Sequence, residues 1–242
     1  MRIIFIRHGE PDYEHDTLTE KGWREAYLLA ERVSRWDVKD FYCSPLGRAR
    51  DTASPTLTIM RRDSEIQNWL QEFPASILDP ETGNRRCPWD FAPEFWTSHP
   101  EFYDLHRWSQ TPLMQTGPVS ETYEQVCDSL DALLSEYGYD RYNGYYKVRK
   151  SNEDTLVFFC HFGVISVMLS HLLGISPVVL WQGFFLPPTS VTILATEEIH
   201  PGHAGFRVQM LGDTTHLHDG HEPISPSGYF GELLQETKPQ SE

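Results

Sequence analysis

The stretch Arg2-Ile3-Ile4-Phe5-Ile6-Arg7-His8-Gly9-Glu10 indicates both a fold and a place for chemistry. Residues 2–6 form a short apolar run, which is typical of a strand buried on both faces in a parallel sheet. The run stops at Arg7, and an imidazole and a glycine follow it. We therefore predict a buried strand that delivers a cation and a histidine to a loop at its carboxyl end.

The segments that follow repeat this order of strand, loop and helix. Thr19 is suited to cap a first helix, in which Leu28, Leu29 and Val33 recur at helical spacing. The other predicted elements are a strand over 38–43, Ser44-Pro45 as N-cap and first helical position, helices over 48–60, 120–137 and about 164–173, and strands over 155–160, 190–195 and 206–211. This alternation predicts an α/β fold, a three-layer sandwich with a mostly parallel central sheet flanked by helices.

Three of the predicted strands end at polar side chains: Arg7 and His8, residues 44–48, and His161. Open α/β sheets bind ligands at the carboxyl ends of their strands, so these side chains are expected in one crevice. A neutral imidazole is a nucleophile toward phosphorus. Arg48 would meet a phosphate with its guanidinium beside the free N–H groups of a helix start. Taken alone, however, Arg-His-Gly is more typical of a structural loop.

Three further residues near these motifs have functional or purely structural interpretations. Gly9 lacks the side chain that would keep a substrate away from His8. A cationic His161 would stabilise phosphoryl oxygens, although a histidine at that place can equally belong to the core. Arg50 lies about 200° around the helix from Arg48 and is expected to be a solvated surface charge.

Composition excludes several classes of function. The chain has 242 residues, with 35 acidic against 20 basic residues and a formal charge of −15. Such a field repels nucleic acid and anionic lipid, so neither is an expected partner. The four cysteines form no C-x-x-C pair, and no signal-peptide or membrane-span pattern is present. We expect reduced thiols and a cytoplasmic protein, and the oligomeric state is not readable from the sequence.

Taken together, the motifs resemble the histidine phosphatase superfamily, in the branch of phosphoglycerate mutases and related phosphatases. The resemblance covers roughly residues 1–78 and 119–217. It rests on RHGE at 7–10, LTEKG at 18–22, SPLGRARDTA at 44–53 and His-Phe-Gly at 161–163, with later landmarks at 120–123, 188–192 and 211–217.

This resemblance implies a role for each matching residue. His8 becomes the nucleophile that carries phosphate, Arg7, Arg48 and Gly9 bind the substrate, and His161 assists catalysis. Glu72, in Leu70-Gln71-Glu72-Phe73, matches the segment of the general acid, with Glu10 and Glu14 in reserve. The implied enzyme is a phosphatase of a small-molecule phosphomonoester that uses no metal and no other cofactor.

Two departures from the family pattern bear on the activity. Pro11-Asp12-Tyr13-Glu14 stands where phosphoglycerate mutases carry a Trp-Asn pair, and the Glu14 carboxylate is expected to disfavour a second anionic group. Phe162, and not an aspartate, follows His161, which excludes the acid-phosphatase branch. The alternatives are a phosphoglycerate mutase-type phosphotransferase and a catalytically silent phosphate-binding module.

A rival interpretation is a metal-binding site at residues 213–221. This segment contains five residues of types that ligate metals: Asp213, His216, His218, Asp219 and His221.

The expected domain spans residues 1–221, with a cap insertion at about 79–118. The insertion is rich in Trp, Phe and Tyr and holds three arginines against six acidic residues, a formal charge of −3. It should therefore favour a leaving group with an apolar or planar part over a second phosphate. Residues 222–242 are predicted to be a polar, partly mobile C-terminal tail.

Overall fold

The computed structural model describes residues 1–80 and 82–229. Its strands are β1 (Arg2–Arg7), β2 (Pro11–Asp12), β3 (Thr17–Leu18), β4 (Asp40–Cys43), β5 (Glu65–Ile66), β6 (Ile77–Leu78), β7 (Arg85–Arg86), β8 (Tyr139–Tyr142), β9 (Tyr145–Val148), β10 (Thr155–Cys160), β11 (Val191–His200) and β12 (His203–Asp213). Its helices are α1 (Glu20–Val33), α2 (Gly47–Met60), α3 (Pro93–Trp96), α4 (Val119–Glu136), α5 (Phe162–Leu173), α6 (Pro177–Gly183) and α7 (Thr215–Asp219).

The main sheet of the described residues has eight strands in the order β5-β4-β10-β1-β11-β12-β9-β8. Strand β1 lies near its centre, where Arg2 to Arg7 pair in parallel with Thr155 to Cys160 of β10. On its other side β1 pairs with β11 in the antiparallel sense. The strands from β5 to β1 are thus parallel, and those from β11 to β8 form an antiparallel half.

Successive residues of β1 face opposite sides of the sheet and enter two separate cores. Ile4 and Ile6 pack with α1 and α2, whereas Ile3 and Phe5 pack with α4, α5 and α6. All four side chains are at most 2% exposed. Burying each contributes about 1.5–3 kcal/mol, so β1 is a central element of both layers.

The predicted three-layer α/β sandwich is confirmed, and its sheet is mixed. The expectation of a mostly parallel sheet fails at β11 and β12, which a tight turn at Pro201-Gly202 joins into one long hairpin. Gly202 has a φ of 82°, a left-handed conformation that glycine adopts at little cost. Antiparallel neighbours need only such a turn, whereas parallel ones need a crossover.

The start of α1 is confirmed and the start of α2 is corrected. The Thr19 hydroxyl accepts a hydrogen bond from the Gly22 N–H, as an N-cap should. In α2 the N-cap is Leu46, whose side chain makes no capping bond. Ser44, the expected cap, lies within hydrogen-bonding distance of His161 instead.

The described residues of the insertion (residues 79–118) form strand β7, helix α3 and short 3-10 turns between irregular segments. Phe102 and Trp108 anchor it in the larger core, each at most 2% exposed. In the described part of the chain, no helix is both long and apolar enough to span a membrane.

Residues 222–229, here called the C-terminal strap, pack against the domain. Glu222 forms ion pairs with Lys21 and Arg24 of α1, and the Ser225 hydroxyl donates to Glu10. The remainder of the expected tail, residues 230–242, lies outside the described residues.

Candidate active site

Three adjacent parallel strands place the predicted site residues together. In the sheet register Arg7 lies beside Cys160, and Cys43 lies beside Phe159. The residue after each strand is therefore brought to one edge, where His8, Ser44 and His161 meet. The His8 N–H donates to the Cys160 carbonyl at 2.9 Å, which continues the pairing one residue past β1.

The His8 ring is held in one orientation by a backbone contact. Its Nδ1 lies 2.7 Å from the Gly9 carbonyl oxygen, an acceptor that requires the proton to be on Nδ1. The Nε2 lone pair is consequently available. Burial lowers the His8 pKa well below its usual value, and the positive charges of Arg7 and Arg48 lower it further. A buried, neutral imidazole with an exposed lone pair is the form that attacks electrophiles.

His161 faces His8, with 5.0 Å between the ring centroids. Its Nε2 lies 2.7 Å from the Ser44 hydroxyl, and its buried Nδ1 has no hydrogen-bond partner in the described part of the chain. Burial, with His8 and both arginines nearby, lowers the His161 pKa well below its usual value. The lowered pKa favours a neutral His161 ring, and the cationic form beside a phosphoryl group stays a prediction.

Arg7 is buried between aromatic rings and backbone carbonyls. Its guanidinium donates to the carbonyls of Leu186, at 2.6 Å, and Ser227, at 3.3 Å. The guanidinium carbon lies 6.0 Å and 5.7 Å from the ring centroids of Phe162 and Phe185. These contacts hold the guanidinium in place.

Arg48 occupies the first turn of α2 and is held by a residue that sequence reasoning missed. The Asp16 carboxylate accepts from the Arg48 guanidinium and from the Gly47 N–H, both at 2.7 Å. Asp16 thereby does the capping that Leu46 cannot do. The Nε atoms of Arg7 and Arg48 are buried without hydrogen-bond partners among the described residues, which suits an anion between them.

Glu72 joins this group from the loop after α2. Its Oε1 accepts from the Gly163 N–H at 2.8 Å and from its neighbour Phe73 at 3.1 Å. Ligand-type atoms of His8, Glu72 and His161 all lie within 4.8 Å of one another. Burial raises the Glu72 pKa above its usual value, although Arg7 and Arg48 oppose the rise.

The remaining candidates lie differently. Gly9 makes room for protein and not for substrate, since a Cβ there would lie 2.9 Å from the Gly22 carbonyl oxygen. The Glu10 carboxylate is bound by the hydroxyls of Thr19 and Ser225. Glu14 is exposed and does not line the cavity, so the charge argument based on it does not hold.

Metal-ligand residue types converge at one place in residues 1–80 and 82–229, namely His8, Glu72 and His161. Arg7 and Arg48 lie beside this group and oppose a cation there. The residues of the rival cluster form no such group: Asp213 pairs with Arg32, and His216 contacts Arg32 and Thr189.

A cavity of about 280 Å³ opens from this cluster. Its polar end holds Arg7, Arg48 and Glu72. The other lining residues are Tyr13, Trp89, Asp90, Phe162, Trp181, Phe184, Phe185, Gly228 and Tyr229. Trp89 and Asp90 belong to the insertion, whose aromatic content predicts contact with a ligand. No sequence pattern identifies residues 184–185 or the strap as part of the site.

Residues 3–209 match the family described as the histidine phosphatase superfamily (branch 1). A 2,3-bisphosphoglycerate-dependent phosphoglycerate mutase of Thermoplasma acidophilum is 43% identical over 80 residues, 29% of this chain and 40% of that protein. A probable phosphatase of Schizosaccharomyces pombe is 35% identical over 68 residues, 24% of this chain and 32% of that protein. The matched stretches thus span less than half of these curated relatives.

Solved structures share the fold at low identity. A phosphoserine phosphatase from Entamoeba histolytica, a mutant in complex with phosphoserine, aligns with a TM-score of 0.59 and 20% identity, over 89% of this chain and 98% of that one. A mycobacterial glucosyl-3-phosphoglycerate phosphatase aligns with a TM-score of 0.59 and 17% identity, over 87% and 98%.

Proposed function

The chain belongs to the histidine phosphatase superfamily, and from that premise we propose that it hydrolyses a small-molecule phosphomonoester through a phosphohistidine on His8. The observation that carries this proposal is the bond from His8 Nδ1 to the Gly9 carbonyl. It leaves Nε2 unprotonated within a cluster that also contains two arginines and Glu72. The nucleophile thus lies in the same cluster as the anion site and the acid, which line the cavity.

Substrate binding would begin with the phosphate. The unpartnered Nε atoms of Arg7 and Arg48 and the unpartnered Nδ1 of His161 offer donors to its oxygens. The incoming dianion also changes His161, because a negative charge beside the ring favours its protonated form. The His161 cation then forms only when phosphate is present, and it stabilises charge on the transferring group.

The transfer proceeds in two balanced steps. The His8 Nε2 lone pair forms a bond to phosphorus as the bond from phosphorus to the leaving oxygen breaks. That oxygen takes a proton from Glu72, whose raised pKa favours the acid form. Because Oε1 accepts two N–H bonds, the proton belongs on Oε2. In the second step Glu72 takes a proton from a water molecule as the water oxygen attacks phosphorus. The bond between phosphorus and His8 Nε2 breaks, and Nε2 regains its lone pair.

A phosphoglycerate mutase is the second candidate, since the Thermoplasma mutase is the more identical of the two curated relatives. A mutase must retain a bisphosphate, which calls for additional cations. The arginines of the insertion are already engaged: Arg85 with a carbonyl, Arg86 with Asp79, and Arg107 with Glu101. The cavity lining adds Asp90, a further acid, so the charges favour hydrolysis.

The test supplies 3-phosphoglycerate with a bisphosphoglycerate primer and, separately, a panel of phosphomonoesters. We expect phosphate release from the panel and little interconversion of phosphoglycerates. Efficient interconversion with little phosphate release would replace the phosphatase with a mutase. Absence of any turnover on an aryl phosphate would leave a phosphate-binding module.

A further inference from the structure

Two aromatic walls line the cavity. Trp89 and Trp181 form one, with 5.6 Å between their ring centroids. Phe185 and Tyr229 form the other, stacked at 3.9 Å and 18°. The Arg7 guanidinium lies 5.7 Å from the Phe185 ring centroid of this second wall. Aromatic faces carry negative electrostatic potential and attract organic cations, especially where several surround one space.

Asp90 places a carboxylate beside these walls. The residue lines the cavity and has a φ of 64°, a left-handed conformation that aspartate adopts more readily than most residues. Arg86 fixes this loop by donating to the carbonyls of Trp89, at 3.0 Å, and Asp90, at 2.5 Å.

The Asp90 carboxylate forms no ion pair among the described residues, although the charges of Arg86 and Arg7 lie near enough to lower its pKa. The Arg86 guanidinium forms its ion pair with Asp79, at 2.9 Å. Among the described residues, the polar contact of the Asp90 carboxylate is the Cys87 thiol, at 3.8 Å. Burial raises the Asp90 pKa, and a cation in the cavity would lower it again.

We infer that the leaving alcohol of the substrate carries an ammonium group, held between the aromatic walls and against Asp90. This inference rests on the function proposed above. The cavity then has an anion site formed by Arg7 and Arg48 at one end and a cation site at the other. A volume of about 280 Å³ suits a small ammonium-bearing alkyl phosphate.

Two probe esters isolate the charge. Phosphocholine carries a quaternary ammonium, and 3,3-dimethylbutyl phosphate has the same shape with carbon in place of nitrogen. We expect the wild-type kcat/KM to be at least about tenfold higher for phosphocholine, the effect of one cation site worth about 1.4 kcal/mol. Asp90→Asn should lower that value about tenfold and change the neutral ester less than about twofold.

Asp90→Asn suits the backbone conformation at this position, and a second variant serves as its control. Asparagine also adopts the left-handed conformation, so Asp90→Asn should retain the Tm of the wild type. Glu94→Gln removes the same charge from an exposed position of the insertion and should leave the preference unchanged.

The outcomes separate this inference from the function beneath it. Equal wild-type values for the two esters, or a preference unaffected by Asp90→Asn, would overturn the ammonium site alone if p-nitrophenyl phosphate is still hydrolysed. Loss of all hydrolysis in the wild-type protein would overturn both.

Discussion

The two ends of the cavity are constructed by different means. At the phosphate end, His8 and His161 directly follow central strands and are at most 1% exposed. At the other end, Phe184 and Tyr229 lie on irregular segments and are 40% and 45% exposed. The sheet thus fixes the two histidines proposed for phosphoryl transfer, while loops supply the surface that would select a leaving group. Substitutions at the first end should abolish turnover, and those at the second should change its selectivity.

The largest effect is expected for His8→Ala, which removes the proposed nucleophile. Hydrolysis of p-nitrophenyl phosphate should fall by roughly 10⁴-fold or more, because no other group can form the covalent intermediate. The matched control is His171→Ala, since His171 pairs with Asp131 on α4, away from the cavity. Wild-type turnover in His8→Ala, with the fold shown intact by circular dichroism, would refute the mechanism.

Glu72→Gln should have the next largest effect and should depend on the leaving group. Alkyl phosphates need a proton on the departing oxygen, so their kcat should fall by about 10²- to 10³-fold. An aryl phosphate leaves without that proton, and its first step should be far less affected. Equal losses on both substrates would assign the acid to another residue.

The pH profile of kcat/KM on an alkyl phosphate tests the same two residues. Because its pKa is lowered, His8 stays neutral to below pH 6.5. The activity that is lost when His8 becomes protonated should therefore be lost only below that pH. The raised pKa of Glu72 keeps it protonated above pH 4.5, and activity should decline as pH rises through that pKa. In Glu72→Gln, kcat/KM should still fall at acid pH, where His8 becomes protonated. The fall at alkaline pH that is due to Glu72 should disappear, so that only the ionisation of the substrate phosphate changes kcat/KM there.

Gly163 lies against a residue from each end of the cavity, so Gly163→Ala should affect both. A Cβ at this position would lie 2.5 Å from Glu72 Oε1 and 2.6 Å from the Trp89 ring. The added methyl must displace one of them, so we expect a loss of about 1–3 kcal/mol in stability and roughly a tenfold fall in kcat. Gly205→Ala, where a Cβ would meet nothing within 4 Å, is the matched control. Wild-type Tm and kcat in Gly163→Ala would show that this close packing is dispensable.

The smallest effect is expected at the strap. The Glu222 pKa is lowered to about 2, chiefly by its bonds to Arg24 and Lys21. The ion pairs of Glu222 therefore stabilise the folded protein fully above pH 4.5, and this stabilisation is lost as pH falls toward 2. Glu222→Gln should lower the Tm at pH 7 by about 1–4 °C and change kcat/KM about two- to threefold. Glu14→Gln, at an exposed position, should do neither.

Sequence reasoning succeeded where the pattern was local. The apolar run of β1, the run of β10 and the Thr19 cap each depend on a few neighbouring residues, and each was predicted. It failed where contacts came from distant segments. Asp16 holding Arg48, and the Ser227 carbonyl receiving Arg7, leave no trace in residue spacing. The cap of α2 was wrong for the same reason, because Ser44 contacts His161, 117 positions away in the chain.

The position of β1 at the centre of the sheet has a consequence for synthesis. Its two neighbours, β10 and β11, are encoded about 150 and 190 residues after it. At roughly 5–20 residues per second, a ribosome needs about 8–30 s to reach β10 after making β1. During that interval the Ile-Ile-Phe-Ile segment has neither strand partner and is exposed to chaperones and to other nascent chains.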